Sequence, residues 1–534
     1  MIQDFRSATS ETLHEFPPSA VLVVGAGAAG LALVLALEEA GVPSVLIESG
    51  GDPRDRSAMD ARAALNDGDV VGHPYVGLRD GRARVLGGAT QLWHGQCVRL
   101  QPHVLAPRPW VPHSGWPLAL AELVPWYEQA ERWFRLSGRG YGPDRWHEHP
   151  RLSPLPWSPE NLIDDFTEYT PTPHLGSQYH RRLKRSSLVT VMQGATVTKV
   201  LLEGRHARGV EVRGLDGRSE MVRGSIVVLA TGAIENARIL MLSDPTGVGV
   251  GTGRAHTGRY LQDHPVLNTL EVHPVNPAWL QDRASHLHRG RRRLYPKVRL
   301  APAAQRREHL LDANAVLVHD HVTPDLDAVR RIVEALRRRR LPDRVIADSL
   351  RAVGAAGSLS RIAYRRWAKG LSAGRPASRV ALQVWLEQVP DPDSRVRLGA
   401  ARDPLGLPVA EVDWRIAPEE LRTSRVLSQW VADDLERRGL ASVRALPAMT
   451  DDGEWLASAT DAFHPAGTTR MSSSPTDGVV DPDGRVHGLE GLYVAGSSVF
   501  PIAGYANPTL TIVALALRLA DNLSSQARSA SQVA

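Results

Sequence analysis

The sequence predicts an α/β fold in which a parallel sheet covered by helices is interleaved with an α+β part built on an antiparallel sheet. Three observations carry that expectation. A short apolar run, Val21-Leu22-Val23-Val24, passes straight into Gly25-Ala26-Gly27-Ala28-Ala29-Gly30 and an Ala/Leu-rich helix from Leu31 to about Ala40. Further strand-like or loop segments rich in glycine recur far downstream. Finally, the β-type runs Leu294–Leu300, Ala313–Asp320, Val380–Gln388, Arg395–Leu398 and Ala410–Trp414 flank a helical stretch and read as one antiparallel sheet interrupted by helices.

The 534 residues exceed what one small core organises. The composition, 43% hydrophobic and 23% charged, is that of an ordinary globular protein. A net charge of +5 is small for this length and does not call for a nucleic-acid partner. Of the 63 basic residues only Lys184, Lys199, Lys297 and Lys369 are lysines, a bias that fits a GC-rich coding sequence. The single cysteine, Cys97, forbids an intrachain disulfide and a cysteine-based metal site, and no metal is expected. The first twenty residues lack an apolar signal core, and no run of about eighteen apolar residues spans a bilayer, so a cytoplasmic location is expected.

The first glycine cluster sits where a dinucleotide needs it. Val21–Val24 is apolar throughout, as a strand buried on both faces is, and a second apolar run from Ser44 to Ile47 ends on Glu48. In this strand–turn–helix–strand context Gly25 permits the tight turn, Gly27 lets the backbone approach a pyrophosphate, and Gly30 lets helix and strand pack closely. The helix N-terminus offers its unpaired N–H groups to phosphate, and Glu48 is placed to accept from a ribose. A carboxylate there, rather than an arginine, argues against a 2′-phosphate. Two further turns, Gly87-Gly88-Ala89-Thr90 and Ala230-Thr231-Gly232-Ala233, suit close approach to the same extended ligand.

The C-terminal segment narrows the reading. It runs Phe463-His464-Pro465-Ala466-Gly467-Thr468-Thr469-Arg470-Met471, then Val479-Val480-Asp481, Arg485-Val486-His487-Gly488, Leu492-Tyr493-Val494-Ala495-Gly496-Ser497-Ser498 and Ala506-Asn507-Pro508-Thr509-Leu510-Thr511, before an apolar helix from Ile512 to Leu523. These residues resemble the C-terminal signature of the glucose–methanol–choline (GMC) oxidoreductases. Other motifs follow in the family's order: Leu86-Gly87-Gly88, Gly115-Trp116-Pro117 with Leu123, Trp126 and Tyr127, a strand over Val191–Val200, and Gly258-Arg259 with Asp263-His264-Pro265. In detail they look most like the branch acting on sugars and related polyols.

The resemblance implies a Rossmann-like FAD-binding domain over 15–115, 187–270 and 460–530, and a substrate domain over 116–186 and 271–459. It implies an FAD site of Gly25, Gly27, Ala28, Gly30, Glu48, Gly87, Gly88, Thr90, Val197, Ala230, Gly232, Gly496, Ser497, Asn507, Pro508 and Thr509. Alcohol oxidation requires loss of the hydroxyl proton as well as hydride, and a histidine suits that removal near neutral pH. By resemblance His464 is the base, the flavin N5 receives hydride, and Asn507 hydrogen-bonds the substrate oxygen. His264 and His487 fall in family motifs with structural roles. Some relatives link FAD covalently through a histidine in a Ser-Thr-His-Trp sequence. Here Thr90-Gln91-Leu92-Trp93 stands there, with His94 out of register, so non-covalent FAD is expected.

The expected reaction is oxidation of a small alcohol, a sugar, glycoside, aminocyclitol or related polyol, with O2, a quinone or another carrier as electron acceptor. A flavin-bearing lyase of cyanohydrin type, or oxidation of a sterol or long-chain alcohol, is the alternative. From 325 to 370 the chain reads as a basic helical insertion, with twelve Arg or Lys against five acids and Leu326, Val329, Ile332, Val333 and Leu336 on one face. A solvated insertion in the substrate domain is the simpler reading, ahead of a lid or oligomer contact and of docking on an anionic membrane.

Overall fold

The computed structural model describes residues 1–7, 16–17, 19–55, 62–319, 332, 360, 364–365, 369–371, 377 and 379–533. The basic insertion expected over 325–370 therefore lies, but for isolated positions, outside the described residues.

Six strands form one sheet in the order Ile2–Asp4, Val189–Gln193, Ser44–Glu48, Val21–Val24, Ile226–Leu229 and Leu492–Val494, every neighbouring pair parallel. Val21–Val24 and Ile226–Leu229 occupy the middle and are apolar at every position, because helices or loops cover both faces. The helix Ala28–Glu39 is buried almost all round, packed between this sheet and the long C-terminal helix Thr509–Val533. Ile2–Asp4 extends the sheet's edge, a strand that its short mixed sequence does not announce.

The expected single strand over Val191–Val200 is instead two. The chain turns at Gly194-Ala195, where Gly194 N–H donates to Gly50 O and Ala195 N–H to Glu48 O. Val189–Gln193 stays in the parallel sheet, while Thr196–Glu203 opens a three-stranded antiparallel sheet with His206–Arg213 and Ser219–Arg223.

An eight-stranded sheet follows the path Ala441–Ala445, Val266–Pro274, Val380–Leu386, Ala313–His319, Arg292–Leu300, Leu162–Tyr169 and Gln96–Cys97, with Leu287–Arg289 added beside Arg292–Leu300. All its pairings are antiparallel. Alternation along the strands gives it two different faces. Leu382, Val384, Leu386, Ala313, Ala315 and Leu317 pack into one core with Leu427, Val431 and Leu435 of the helix Pro418–Arg437. Each buried leucine there contributes about 1.5–3 kcal/mol. The opposite face carries Gln96, Asp165, Lys297, Arg299, Asn314 and Trp385, brought together by register: Lys297 opposes Asp165, Arg299 opposes Asn314, and Asn314 opposes Trp385.

The runs at 395–398 and 410–414 do not join this sheet. Arg395–Arg402 and Pro408–Asp413 pair with each other and with Gly68–Val70 in a separate three-stranded sheet. Their apolar residues Val396, Ala410 and Val412, with Trp414, are drawn to Ile234, Ala237 and Met241 of the helix Ala233–Leu242.

Candidate active site

Open parallel sheets bind ligands beyond the carboxyl ends of their strands. Here those ends are Gly25 after Val24, Glu48 itself, Ala230 after Leu229, and Ala495-Gly496 after Val494. They surround a cavity of about 660 Å³ that reaches the polar face of the antiparallel sheet at Gln96 and Trp385.

Nearly all the residues singled out for the cofactor meet at this cavity. Gly25, Gly27, Ala28, Glu48, Gly88, Thr90, Val197, Ala230, Gly232, Gly496, Ser497, Asn507, Pro508 and Thr509 line it. Gly30 and Gly87 do not. A Cβ on Gly30 would sit 1.9 Å from Gly25 O, so this glycine sets how closely helix and turn pack. Gly87 N–H donates to Ala26 O (2.9 Å), which seats the second glycine loop against the first.

The cradle suits a dinucleotide. Gly25 has φ +97°, and a Cβ there would lie 2.7 Å from Ala230 O. A Cβ on Gly27, by contrast, would meet nothing within 4 Å, leaving bare backbone facing the cavity where a pyrophosphate would pass. Glu48 Oε2 accepts from Ala26 N–H (2.8 Å), and Oε1 from Gly50 N–H (2.7 Å) and Ser49 Oγ–H (3.4 Å), so Oε2 keeps a lone pair for a ribose hydroxyl. Burial raises its pKa, against the pull of those N–H groups and of Arg84.

The structure adds residues that the sequence analysis does not single out. Arg82 and Arg84 line the cavity and flank Glu235 at 2.8 and 3.1 Å. Burial opposes ionisation of Glu235, but Arg84, Arg238 and Arg82 together hold its carboxyl well below the usual carboxylate range. Asn236 is a staple: its Oδ1 accepts from Thr231 N–H (2.8 Å), and its Nδ2 donates to Ala495 O (3.1 Å) and Ser498 Oγ (2.9 Å). It ties two strand-end turns together. Its signal in the sequence is only its place in Ala233-Ile234-Glu235-Asn236.

His464 and Asn507 line the same cavity. Ser497 Oγ donates to Pro465 O (2.6 Å), and Trp116 Nε1–H donates to Ile502 O (3.0 Å). The backbone of His464 is held by the fully buried Asp263, which accepts from His464 N–H (2.9 and 3.0 Å), His264 N–H (2.7 Å), Ala462 N–H (3.1 Å) and Tyr75 Oη–H (2.7 Å). Burial, with the neighbouring Asp461, pushes Asp263 up to about 7. Phe463, just before the histidine, sits at φ +61°, a costly conformation for an aromatic residue that this anchoring maintains.

The imidazole of His464 packs edge-on against His264 (centroids 5.1 Å apart) and lies 6.2 Å from the Trp385 ring. Burial, then the charges of His264 and Lys297, push its pKa well below 6.5, so the ring is neutral at physiological pH. Its Nδ1 and the Oδ1 of Asn507 are buried and have no hydrogen-bond partner among the described residues. His264 lies 3.2 Å (Nδ1) from Leu386 O, and His487 lies 3.0 Å (Nε2) from Ser472 O. His94 lines the cavity as well.

Comparison with known proteins agrees with this geometry. The N- and C-terminal parts of the GMC oxidoreductase family match residues 179–266 and 390–516. Paromamine 6′-oxidase of Streptomyces fradiae is 27% identical over 94% of this chain and 90% of its own. The 6‴-hydroxyparomomycin C oxidase of Streptomyces lividus is 25% identical over 93% and 90%. A formate oxidase crystal structure shares the fold, with a TM-score of 0.57 at 18% identity, covering 96% of this chain and 99% of the other. The matches to both family regions, with relatives similar along nearly the whole chain, make the chain a member of the GMC oxidoreductase family, an FAD-dependent enzyme acting on an alcohol.

Proposed function

We propose that the chain oxidises one hydroxyl of a sugar, glycoside, aminocyclitol or related polyol to a carbonyl, with His464 as base and Asn507 as the partner of the substrate oxygen. The parallel-sheet part carries the cofactor, held non-covalently, and the antiparallel part carries the substrate. The observation behind this reading is that His464 and Asn507 line one cavity together with the strand-end glycines. Bound FAD supplies the acceptor for the hydrogen that leaves carbon as hydride. His464, neutral at working pH, takes the hydroxyl proton. Asp263 keeps it in place by holding its backbone rather than its ring. Asn507 hydrogen-bonds the substrate oxygen, its Oδ1 accepting while the hydroxyl proton is present and its Nδ2–H donating as negative charge builds there. The sugar-like substrate is supported by the two oxidases named above, both similar along nearly the whole chain.

Anaerobic mixing of the holoenzyme with a panel of sugars, glycosides and aminocyclitols tests this. At least one member should bleach the flavin rapidly, and air or a quinone should restore the colour, which identifies the acceptor class. If no member bleaches it, or if His464→Ala bleaches at the wild-type rate, the reading is wrong.

A further inference from the structure

The polar face of the antiparallel sheet contains a buried cation with nothing to bind. Lys297 is only 6% exposed, yet among the described residues its ammonium makes no hydrogen bond and no ion pair within 4 Å, and its Nζ is not sealed from solvent as the buried unpartnered atoms around it are. The ring of Trp385 lies beneath it, 5.6 Å from the ammonium to the centroid. Asp165, directly opposite in the register, is already engaged by Tyr505 Oη–H and lies 3.9 Å from Arg299 Nε. An ammonium has three donors and is strongly hydrated in water, so burying it without an acceptor is costly. Burial lowers its pKa to about 8, which leaves it largely protonated at neutral pH.

Two neighbours on the same face are also unsatisfied. Asn314 is fully buried with neither Oδ1 nor Nδ2 paired, and Arg299 Nε has no hydrogen bond. Trp385 connects this group to the site, since its ring lines the cavity and lies 6.2 Å from that of His464. Asn314 and Arg299 Nε are sealed behind the cavity wall, which leaves the Lys297 ammonium, beside Trp385, as the donor of this face that an acceptor oxygen of a ligand can satisfy.

We propose that Lys297 is a specificity-determining residue that donates to an acceptor oxygen of the substrate, a hydroxyl or a carboxylate, while the reacting carbon sits at His464. The proposal rests on the polyol reading above. An amine at that position of the substrate would place two cations together and is excluded.

The test is equilibrium titration of the anaerobic holoenzyme, followed by flavin absorbance, with methyl glucoside and methyl glucuronide. Lys297→Met, which keeps the packing on Trp385, should weaken binding of at least one of them tenfold or more. Lys297→Arg should recover it to within about threefold, with FAD content and unfolding temperature unchanged in both variants. A larger loss for the glucuronide identifies a carboxylate as the partner, and equal losses identify a hydroxyl. Affinities within twofold of wild type in Lys297→Met overturn the proposal. So does a loss that follows lower FAD content or stability and that arginine does not restore, since that marks a scaffold residue. If neither these two sugars nor any member of the panel above perturbs the wild-type flavin, the polyol reading fails, and this proposal with it.

Discussion

The two sheets meet the cavity in opposite ways. The parallel sheet presents backbone: Gly25, Gly27, Gly232 and Gly496 put little but peptide groups at the strand ends. The antiparallel sheet presents side chains, Gln96 and Trp385 at the cavity wall, with Lys297, Arg299 and Asn314 beside them on the same face. A ligand common to a whole family can be gripped by shape and peptide dipoles. A ligand that differs between relatives has to be read by replaceable groups. Substitutions on the first side should therefore alter cofactor retention, and those on the second should alter turnover and substrate choice.

The largest effect expected is at the boundary. His464→Ala should slow flavin reduction by about 10²–10⁴-fold while FAD remains bound, checked by stopped-flow bleaching. Retained flavin with lost chemistry would sharpen the division, and loss of flavin would break it. Within the cradle, Gly30→Ala and Gly27→Ala should behave differently. The first drives a methyl into Gly25 O and should destabilise apo- and holoprotein alike by about 1–3 kcal/mol. The second meets no protein atom within 4 Å, so apoprotein unfolding should shift by less than about 0.5 kcal/mol while FAD affinity falls about tenfold or more. Calorimetry with FAD titration separates the two.

The pH profile should be quieter. The pKa of His464 lies below its ordinary value, so the base is already deprotonated at neutrality. The limiting rate of flavin reduction should change less than about twofold between pH 7 and 8 and fall only as acid protonates the ring. A rise through pH 6.5–7.5 would mean an unshifted histidine. Last, acid precipitation should leave all flavin in the supernatant, because no histidine stands among Thr90-Gln91-Leu92-Trp93. Flavin fixed to the pellet would point to His94, which lines the cavity.

The difference between the sheets also governs what could be read from sequence. Gly25, Gly27 and Glu48 were legible because turn, helix start and strand end lie within one βαβ unit. His464 and Asn507 were legible because their neighbours repeat a family's pattern. Asp263 stood in a legible motif, but its hold on His464, 201 residues away, did not show. Lys297 illustrates the limit best. Arg293, Tyr295, Lys297 and Arg299 alternate along one strand, which marks a polar face, but Asn314 and Trp385 reach it only through pairing across strands. The turn at Gly194-Ala195 and the separate sheet at 395–413 were missed for the same reason, since strand partners are chosen by distant packing.

The Asn236 staple has a consequence for how the chain is made. Its amide joins Thr231 to Ala495 and Ser498, across 259 and 262 residues, next to a sheet whose last strand is Leu492–Val494. Contacts of such long range close late, because loop-closure entropy is lost before they form. A ribosome that has made the first glycine turn has therefore built a crevice open on one side, and it stays open through most of translation. A chain that ends before residue 490 lacks the strand and turn that close the crevice, so it should retain no FAD.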